Sequence, residues 1–165
     1  HGLALGSHGL LGKQNLYEHS VRVPLIVAGP GVPAGRRCAA LAHPQDLYAT
    51  LCELAGLAAP AGLESRSLVP ALTGKGTGRD ALCSVYMDGQ RMITDGRWKL
   101  IVYRVRGAER VQLFDLETDP DELSSLAADP GQAARIAGLR ARLESWREEN
   151  GDRWFSAVAR HAAVS

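Results

Sequence analysis

The second half of the chain alternates hydrophobic and polar positions with the short period of β-strands. Four such runs, at residues 84–87, 91–94, 98–105 and 110–116, are separated by turn sequences such as Asp-Gly and Arg-Gly. The third run is apolar on both faces, so a helix is expected to cover one of them. A helix predicted over residues 131–149 fits that place. Its apolar stripe recurs at intervals of three and four positions: Ile136, Leu139, Leu143 and Trp146.

The first half of the chain combines one continuous apolar run with a helical period after it. Residues 23–28 are mostly apolar and end at a Gly-Pro-Gly turn, which predicts a buried strand. Residues 44–55 predict a helix whose first turn contains Asp46, where a carboxylate favours the helix dipole. Shorter helical turns are predicted at residues 16–20 and 67–72. The buried stripe of the longer helix is expected to consist of Leu47, Thr50, Leu51 and Leu54.

Composition excludes two classes of partner. The net charge is +1, and no run of Lys and Arg is longer than the pair Arg36-Arg37, so nothing indicates nucleic-acid binding. The apolar run at residues 23–28 is too short to span a membrane. The cysteines are widely spaced and lack the ligand spacing of a zinc site, which predicts free thiols: Cys38, Cys52 and Cys83.

A glycine-rich loop at the start of the chain contains the residues best suited to bind a small ligand. Four glycines within residues 1–13 allow the backbone to come close to such a ligand. The ammonium group of Lys13 suits the anionic oxygen of a phosphate or a sulfate. Gln14 follows this lysine, so the loop is not a Walker A motif. His1 and His8 are candidates for metal binding or for acid–base chemistry.

Two consecutive motifs in the first 31 residues resemble a known family. Residues 1–13 read His-Gly-x2-Leu-Gly-x-His-Gly-Leu-x-Gly-Lys, and residues 17–31 read Tyr-Glu-x-Ser-x-Arg-Val-Pro-Leu-Ile-Val-x-Gly-Pro-Gly. This order is similar to that of the type I sulfatases of the alkaline phosphatase superfamily. The similarity continues in order to about residue 150, through segments 46–56, 67–74, 98–101, 113–116 and 119–123.

The resemblance implies an α/β fold class. Residues 1–80 are expected to form the C-terminal part of an alkaline-phosphatase-like mixed sheet with helices. Residues 81–150 are expected to form a small antiparallel sheet packed on a C-terminal helix, and residues 151–165 a frayed tail.

The resemblance also implies a site for a sulfate ester. The lysine that contacts the sulfate in the family corresponds to Lys13, and His8 is expected to touch the same site. His1 stands at the second position of an Asp-Asn or Asp-His pair that binds a divalent cation, usually Ca²⁺. The aspartate of that pair is expected just before this chain.

The family's nucleophile is a formylglycine made from Cys or Ser in a Cys/Ser-x-Pro/Ala-Ser-Arg motif. None of the cysteines at positions 38, 52 and 83 stands in such a motif, so the formylglycine is expected in an N-terminal part that precedes this chain. The chain alone is therefore predicted to be inactive.

The leading hypothesis is the C-terminal fragment of a sulfatase that acts on a sulfate-ester small molecule or a sulfated glycan. Its expected partner is the N-terminal half of the same protein, in a periplasmic, secreted or lysosomal compartment. One alternative is a phosphonate or phosphate monoester hydrolase of the same superfamily. The other is a non-catalytic, truncated module, which predicts an exposed apolar flank along residues 23–28.

Overall fold

The computed structural model describes residues 1–153, which form two compact units. One unit joins residues 1–23 to the chain from Cys83 onward, and the other is Pro24–Leu82. The predicted domains, residues 1–80 and 81–150, differ from this division in the placement of the first 23 residues, and they stay a prediction. Most of the predicted tail, residues 154–165, lies outside the described residues.

The secondary structure follows most of the hydrophobic pattern. The helices are α1 (Glu18–Val21), α2 (Asp46–Leu54), α3 (Val69–Thr73) and α4 (Ala133–Glu149). The strands are β1 (Leu82–Tyr86), β2 (Gln90–Thr94), β3 (Trp98–Val105) and β4 (Ala108–Asp115), and short 3-10 turns occur at Ser7–Gly9 and Pro130–Gln132. Among residues 1–153, no helix is long and apolar enough to cross a membrane.

The strands form one sheet in the order β1-β2-β3-β4, and β3 pairs antiparallel with both β2 and β4. The turn between β3 and β4 places Arg106 at φ 52° and Gly107 at φ 82°. Two consecutive positive φ angles give the turn the twist that suits an antiparallel hairpin. The α/β class with a small antiparallel sheet and a C-terminal helix is confirmed.

The two faces of the sheet are covered by different parts of the chain. Met92, Ile101 and Phe114 lie on one face, where they form a buried cluster with Leu16 and Tyr17 from the N-terminal segment. Alternate residues of a strand point to opposite faces, so the neighbouring positions form the other face. Helix α4 packs on β2 and β3. Its buried residues include two members of the predicted stripe, Leu139 and Leu143.

The predicted strand at residues 23–28 is wrong. The segment has no regular secondary structure, and 47% of Leu25 and 89% of Ile26 are exposed. A strand forms only when a neighbouring strand satisfies its backbone hydrogen bonds. No strand forms between residues 24 and 81 of the described chain, so this unit offers no such neighbour.

The predicted apolar stripe of α2 is also wrong, apart from Thr50. Leu51 is 64% exposed, whereas Asp46 is completely buried. The carboxylate of Asp46 accepts hydrogen bonds from the Arg79 guanidinium and from the backbone N–H groups of His43 and Arg66. These polar partners, rather than the leucines, decide which side of α2 faces inward.

Candidate functional site

Backbone hydrogen bonds fold the N-terminal loop back on itself. The N–H of Gly2 donates to the carbonyl of His19 at 2.9 Å, and the N–H of Ala4 donates to the carbonyl of Gly12 at 3.0 Å. A Cβ atom on Gly2 would lie 2.5 Å from that His19 oxygen, so only glycine allows this approach. The loop therefore returns to its own starting point near α1.

This closure brings together two of the three candidate residues. The ammonium nitrogen Nζ of Lys13 lies 2.7 Å from Nε2 of His1, and both residues are exposed. Lysine can only donate, so Nε2 is the acceptor and the ring proton lies on Nδ1. The contact places a positive charge and an imidazole side by side at the surface of the loop.

The third candidate, His8, makes different contacts. Its ring stacks on Tyr17 with a centroid distance of 3.9 Å and an angle of 3° between the planes, and His19 lies 5.8 Å away. Burial, His8 and the charge of Lys99 together lower the pKa of His19. In the described residues, the contacts of His8 thus fix it to the aromatic cluster that supports the loop.

A buried ionic cluster, which sequence reasoning missed, anchors α1 to the sheet. Lys99 is completely buried, and its Nζ lies 3.0 Å from Oε1 of Glu18 and 2.8 Å from Oε1 of Glu122. The other carboxylate oxygen of Glu122 accepts the backbone N–H of Glu18 at 2.5 Å. Burial raises the pKa of Glu122, although the neighbouring ammonium partly opposes this change.

A second cation lies near Glu18, at the surface of α1. Arg22 lies 3.9 Å from the carboxylate of Glu18, but its side chain is 78% exposed, so this pair contributes little in water. The available signal was Lys99 itself, a lysine in a strand that is apolar on both faces. A buried lysine in such a strand needs carboxylates nearby.

The described residues do not form a cation site by themselves. No group of three or more His, Cys, Asp or Glu side chains with suitable geometry occurs among them. His1 supplies at most one nitrogen ligand, whereas Ca²⁺ prefers six to eight oxygen ligands. The loop of this chain therefore provides one potential metal ligand and one positive charge.

Comparisons with known proteins agree on one family. Residues 6–149 match the family described as N-sulphoglucosamine sulphohydrolase, C-terminal. Choline-sulfatase of Rhizobium meliloti is 34% identical over 98% of this chain and 32% of its own length. Arylsulfatase K of Mus musculus is 32% identical over 78% of the chain, which covers 26% of that protein. The chain thus spans about a quarter to a third of these relatives.

Solved structures give the same result. The structure of a 2-O GAG sulfatase is similar to this chain, with a TM-score of 0.78 and 30% sequence identity. The similar region covers 94% of this chain and 36% of the sulfatase chain. The structure of BT4656 in complex with its substrate, D-glucosamine-2-N,6-O-disulfate, is also similar. The similar region covers 90% of this chain and 32% of the BT4656 chain. Its TM-score is 0.77 and its sequence identity is 25%.

Proposed function

The chain belongs to the type I sulfatase family as the C-terminal portion of that fold, and on this premise we propose that its loop binds the sulfate group of an ester undergoing hydrolysis. The contact of 2.7 Å between Lys13 and His1 is the observation that carries the proposal. It joins two residues that are twelve positions apart and presents them together at the surface.

Lys13 has the chemistry that this role requires. Its ammonium group has three N–H donors, of which one is directed to Nε2 of His1. The other two can donate to sulfate oxygens. Since negative charge shifts onto the leaving oxygen and the sulfuryl group during hydrolysis, a positive charge held at this point lowers the barrier. His1 limits the positions that the lysine can adopt.

The remaining catalytic groups are proposed to come from the N-terminal part of the protein. That part would supply the formylglycine nucleophile and the oxygen ligands of a divalent cation, Ca²⁺ by family resemblance. His1 would be one ligand of that cation through Nε2, in exchange for the hydrogen bond from Lys13, because Nε2 is its only nitrogen without a proton. His8 is held against Tyr17 and is proposed to support the loop from its inner side. It would then affect the site only indirectly, by keeping the loop in place.

Exposed apolar surface supports the N-terminal part as the physical partner of this chain. Ile26 is 89% exposed and Leu25 is 47% exposed, in a segment whose sequence is typical of a buried strand. On α2, Leu51 is 64% exposed. Apolar surface of this kind in consecutive elements is typical of an interface. We propose that the partner covers both elements.

The substrate is proposed to be a sulfate ester of a small molecule or a glycan. This class is supported by the names of the relatives, which include a choline-sulfatase and a Delta 4,5-hexuronate-2-O-sulfatase from Bacteroides thetaiotaomicron. The compartment, by the same family resemblance, is proposed to be periplasmic, secreted or lysosomal.

The test uses the full protein that contains this chain, and a Lys13→Ala variant. Hydrolysis of an aryl sulfate is expected to lose about 10²-fold or more in kcat/KM, the usual cost of removing a group that stabilises transition-state charge. The matched control is Lys75→Ala, because Lys75 is an exposed lysine in the other compact unit. Its activity should remain within about twofold of the wild type.

Two results would contradict the proposal. One is full activity in Lys13→Ala. The other is faster turnover of an aryl phosphate or an aryl phosphonate than of the sulfate by the wild type, which would instead favour a phosphonate or phosphate monoester hydrolase.

A further inference from the structure

A cavity of about 570 Å³ lies between the N-terminal loop and one face of the sheet. Its volume falls in the range of small-molecule pockets. Neither His1 nor Lys13 is among the residues that line it. The polar and aromatic side chains that matter for its chemistry come from the loop and from the two last strands: Asn15, Tyr17, Tyr103, Arg110 and Gln112.

Gln112 is held in one orientation at the wall of this cavity. Its Oε1 accepts the hydroxyl protons of Tyr17 and Tyr103, each at 2.8 Å. Both lone pairs of the oxygen are then used, and the amide nitrogen is left with two N–H donors. A side chain fixed in this way offers donors to a ligand at little entropic cost.

Arg110 lies two residues before Gln112 on β4, so both belong to the same face of the sheet. It forms no ion pair with residues 1–153, and none of the residues that line the cavity in this part of the chain is an Asp or a Glu. The guanidinium is therefore the dominant charge of the wall. It favours an anion, and its planar fork suits a carboxylate or a sulfate.

Asn15 belongs to the opposite wall of the cavity, on the loop. It is only 6% exposed, and its Oδ1 accepts the N–H of Tyr17 at 3.1 Å. Its Nδ2 has no hydrogen-bond partner among the described residues. This nitrogen is itself enclosed by protein, so Asn15 shapes the loop wall, and Gln112 is the amide that a ligand in the cavity would meet.

We propose that this cavity binds an anionic sugar ring, with a carboxylate or sulfate group toward Arg110 and a hydroxyl group toward the amide nitrogen of Gln112. The positive charge of Arg110 and the N–H donors of Gln112 explain why the ligand should be an anion. The half-buried ring of Tyr103 offers apolar surface to the carbon atoms of the sugar, and the amide of Gln112 suits its hydroxyl edge. That the anion is attached to a sugar rests on the proposed function, whose substrates include glycans.

Binding is measured by calorimetric titration of the full chain with glucuronate, glucose 6-sulfate, glucose and inorganic sulfate. Saturable binding of either anionic sugar, at least about tenfold tighter than of glucose or of inorganic sulfate, is expected. Whichever of glucuronate and glucose 6-sulfate binds more tightly shows whether the cavity prefers a carboxylate or a sulfate. Equal binding of glucose or of inorganic sulfate, or no saturable binding of the anionic sugars, would overturn the proposal.

Variants separate this cavity from the rest of the surface. Arg110→Gln removes the charge, whereas Gln112→Glu keeps an oxygen for both tyrosine hydroxyls and adds a repelling carboxylate. Each should weaken binding at least about tenfold, while Arg37→Gln, which removes an exposed arginine elsewhere, should not. Equal weakening by Arg37→Gln would contradict the assignment.

The same titration distinguishes this inference from the proposed function. Lys13→Ala should leave the binding of glucuronate unchanged, because glucuronate carries no sulfate group and Lys13 does not line the cavity, although the variant loses about 10²-fold in sulfate-ester turnover in the full protein. Loss of sugar binding in that variant would place the anion at Lys13 and refute the cavity. If turnover persists in Lys13→Ala while the cavity binds sugar as described, the proposed function fails and the cavity stands.

Discussion

Replacing Lys99 with Met tests whether the buried ionic cluster anchors the N-terminal loop. Met has a similar length and keeps the aliphatic contacts of the lysine stem, so packing changes little. The ammonium is lost, however, and it lies 3.0 Å from Glu18 and 2.8 Å from Glu122. The Glu122 side chain is only 1% exposed and is left as a buried charge with no cation beside it.

Breaking a buried pair by removing one partner costs about 3–5 kcal/mol. We expect the lower part of this range, about 3 kcal/mol, because the Glu18 side chain is 19% exposed and is partly solvated. This is a large share of the stability of a domain, for which about 5–15 kcal/mol is usual. The variant should therefore remain folded with a clearly reduced free energy of unfolding.

The destabilisation should depend on pH in a defined direction. Burial already raises the pKa of Glu122 in the folded protein above the ordinary value of a glutamate. A carboxyl with a raised folded pKa favours folding below its unfolded pKa, and this advantage is lost as the pH rises through the folded value. Without the ammonium of Lys99 the folded pKa rises further. The difference between Lys99→Met and the wild type should therefore be larger at pH 8 than at pH 5.

Urea unfolding at both pH values, followed by circular dichroism, measures these free energies. Arg22→Met is the matched control, since it removes the exposed partner of the same carboxylate of Glu18 and should cost less than about 1 kcal/mol. Adding Glu122→Gln to Lys99→Met should recover stability at pH 8. A cost below about 1 kcal/mol for Lys99→Met, or equal costs at both pH values, would refute the reasoning.

Two further predictions concern other buried groups. Burial opposes ionisation of Asp46, but hydrogen bonds from Arg79 and from backbone N–H groups outweigh it and lower its pKa from 3.8 to about 2. The wild type should thus lose about 2 kcal/mol of stability as the pH falls from about 4 toward 2. Unfolding scans of Asp46→Asn should not show this loss. Glu53→Gln, which changes an exposed carboxylate, should still show it. Burial raises the pKa of the Cys83 thiol to about 12, whereas Cys38 is exposed. Iodoacetamide labelling at pH 8, followed by mass spectrometry, should modify Cys38 at least roughly tenfold faster, and equal rates would contradict the burial of Cys83.

Local patterns in the sequence predict the second half of the fold well. The period of two and the Asp-Gly and Arg-Gly turns predict β3 with the bounds that the structure has, and the apolar stripe predicts α4 within two residues. These signals suffice because antiparallel strands joined by short turns, and a helix on their face, depend on contacts between neighbouring segments. The motif of residues 1–13 likewise indicates the family without any structure.

The first half shows where local pattern fails. An apolar run such as residues 23–28 becomes a strand only beside another strand, and the pairing partner is not encoded in the run itself. The helical period of α2 is present in the sequence, but its apolar side is exposed at Leu51 because Asp46 binds Arg79 on the other side. Two charged residues that are 33 positions apart cannot be paired from spacing alone.

The sequence by itself determined the family, the C-terminal sheet and helix, and the loop that contains His1, His8 and Lys13. Only the tertiary structure decided which of these three residues meet, because the contact of Lys13 with His1 depends on backbone hydrogen bonds that return the loop to α1. It also decided that Lys99 is buried between two carboxylates. Side-chain burial and long-range charge pairing arise from how segments distant in the chain pack together, and the order of residues within a segment does not contain that information.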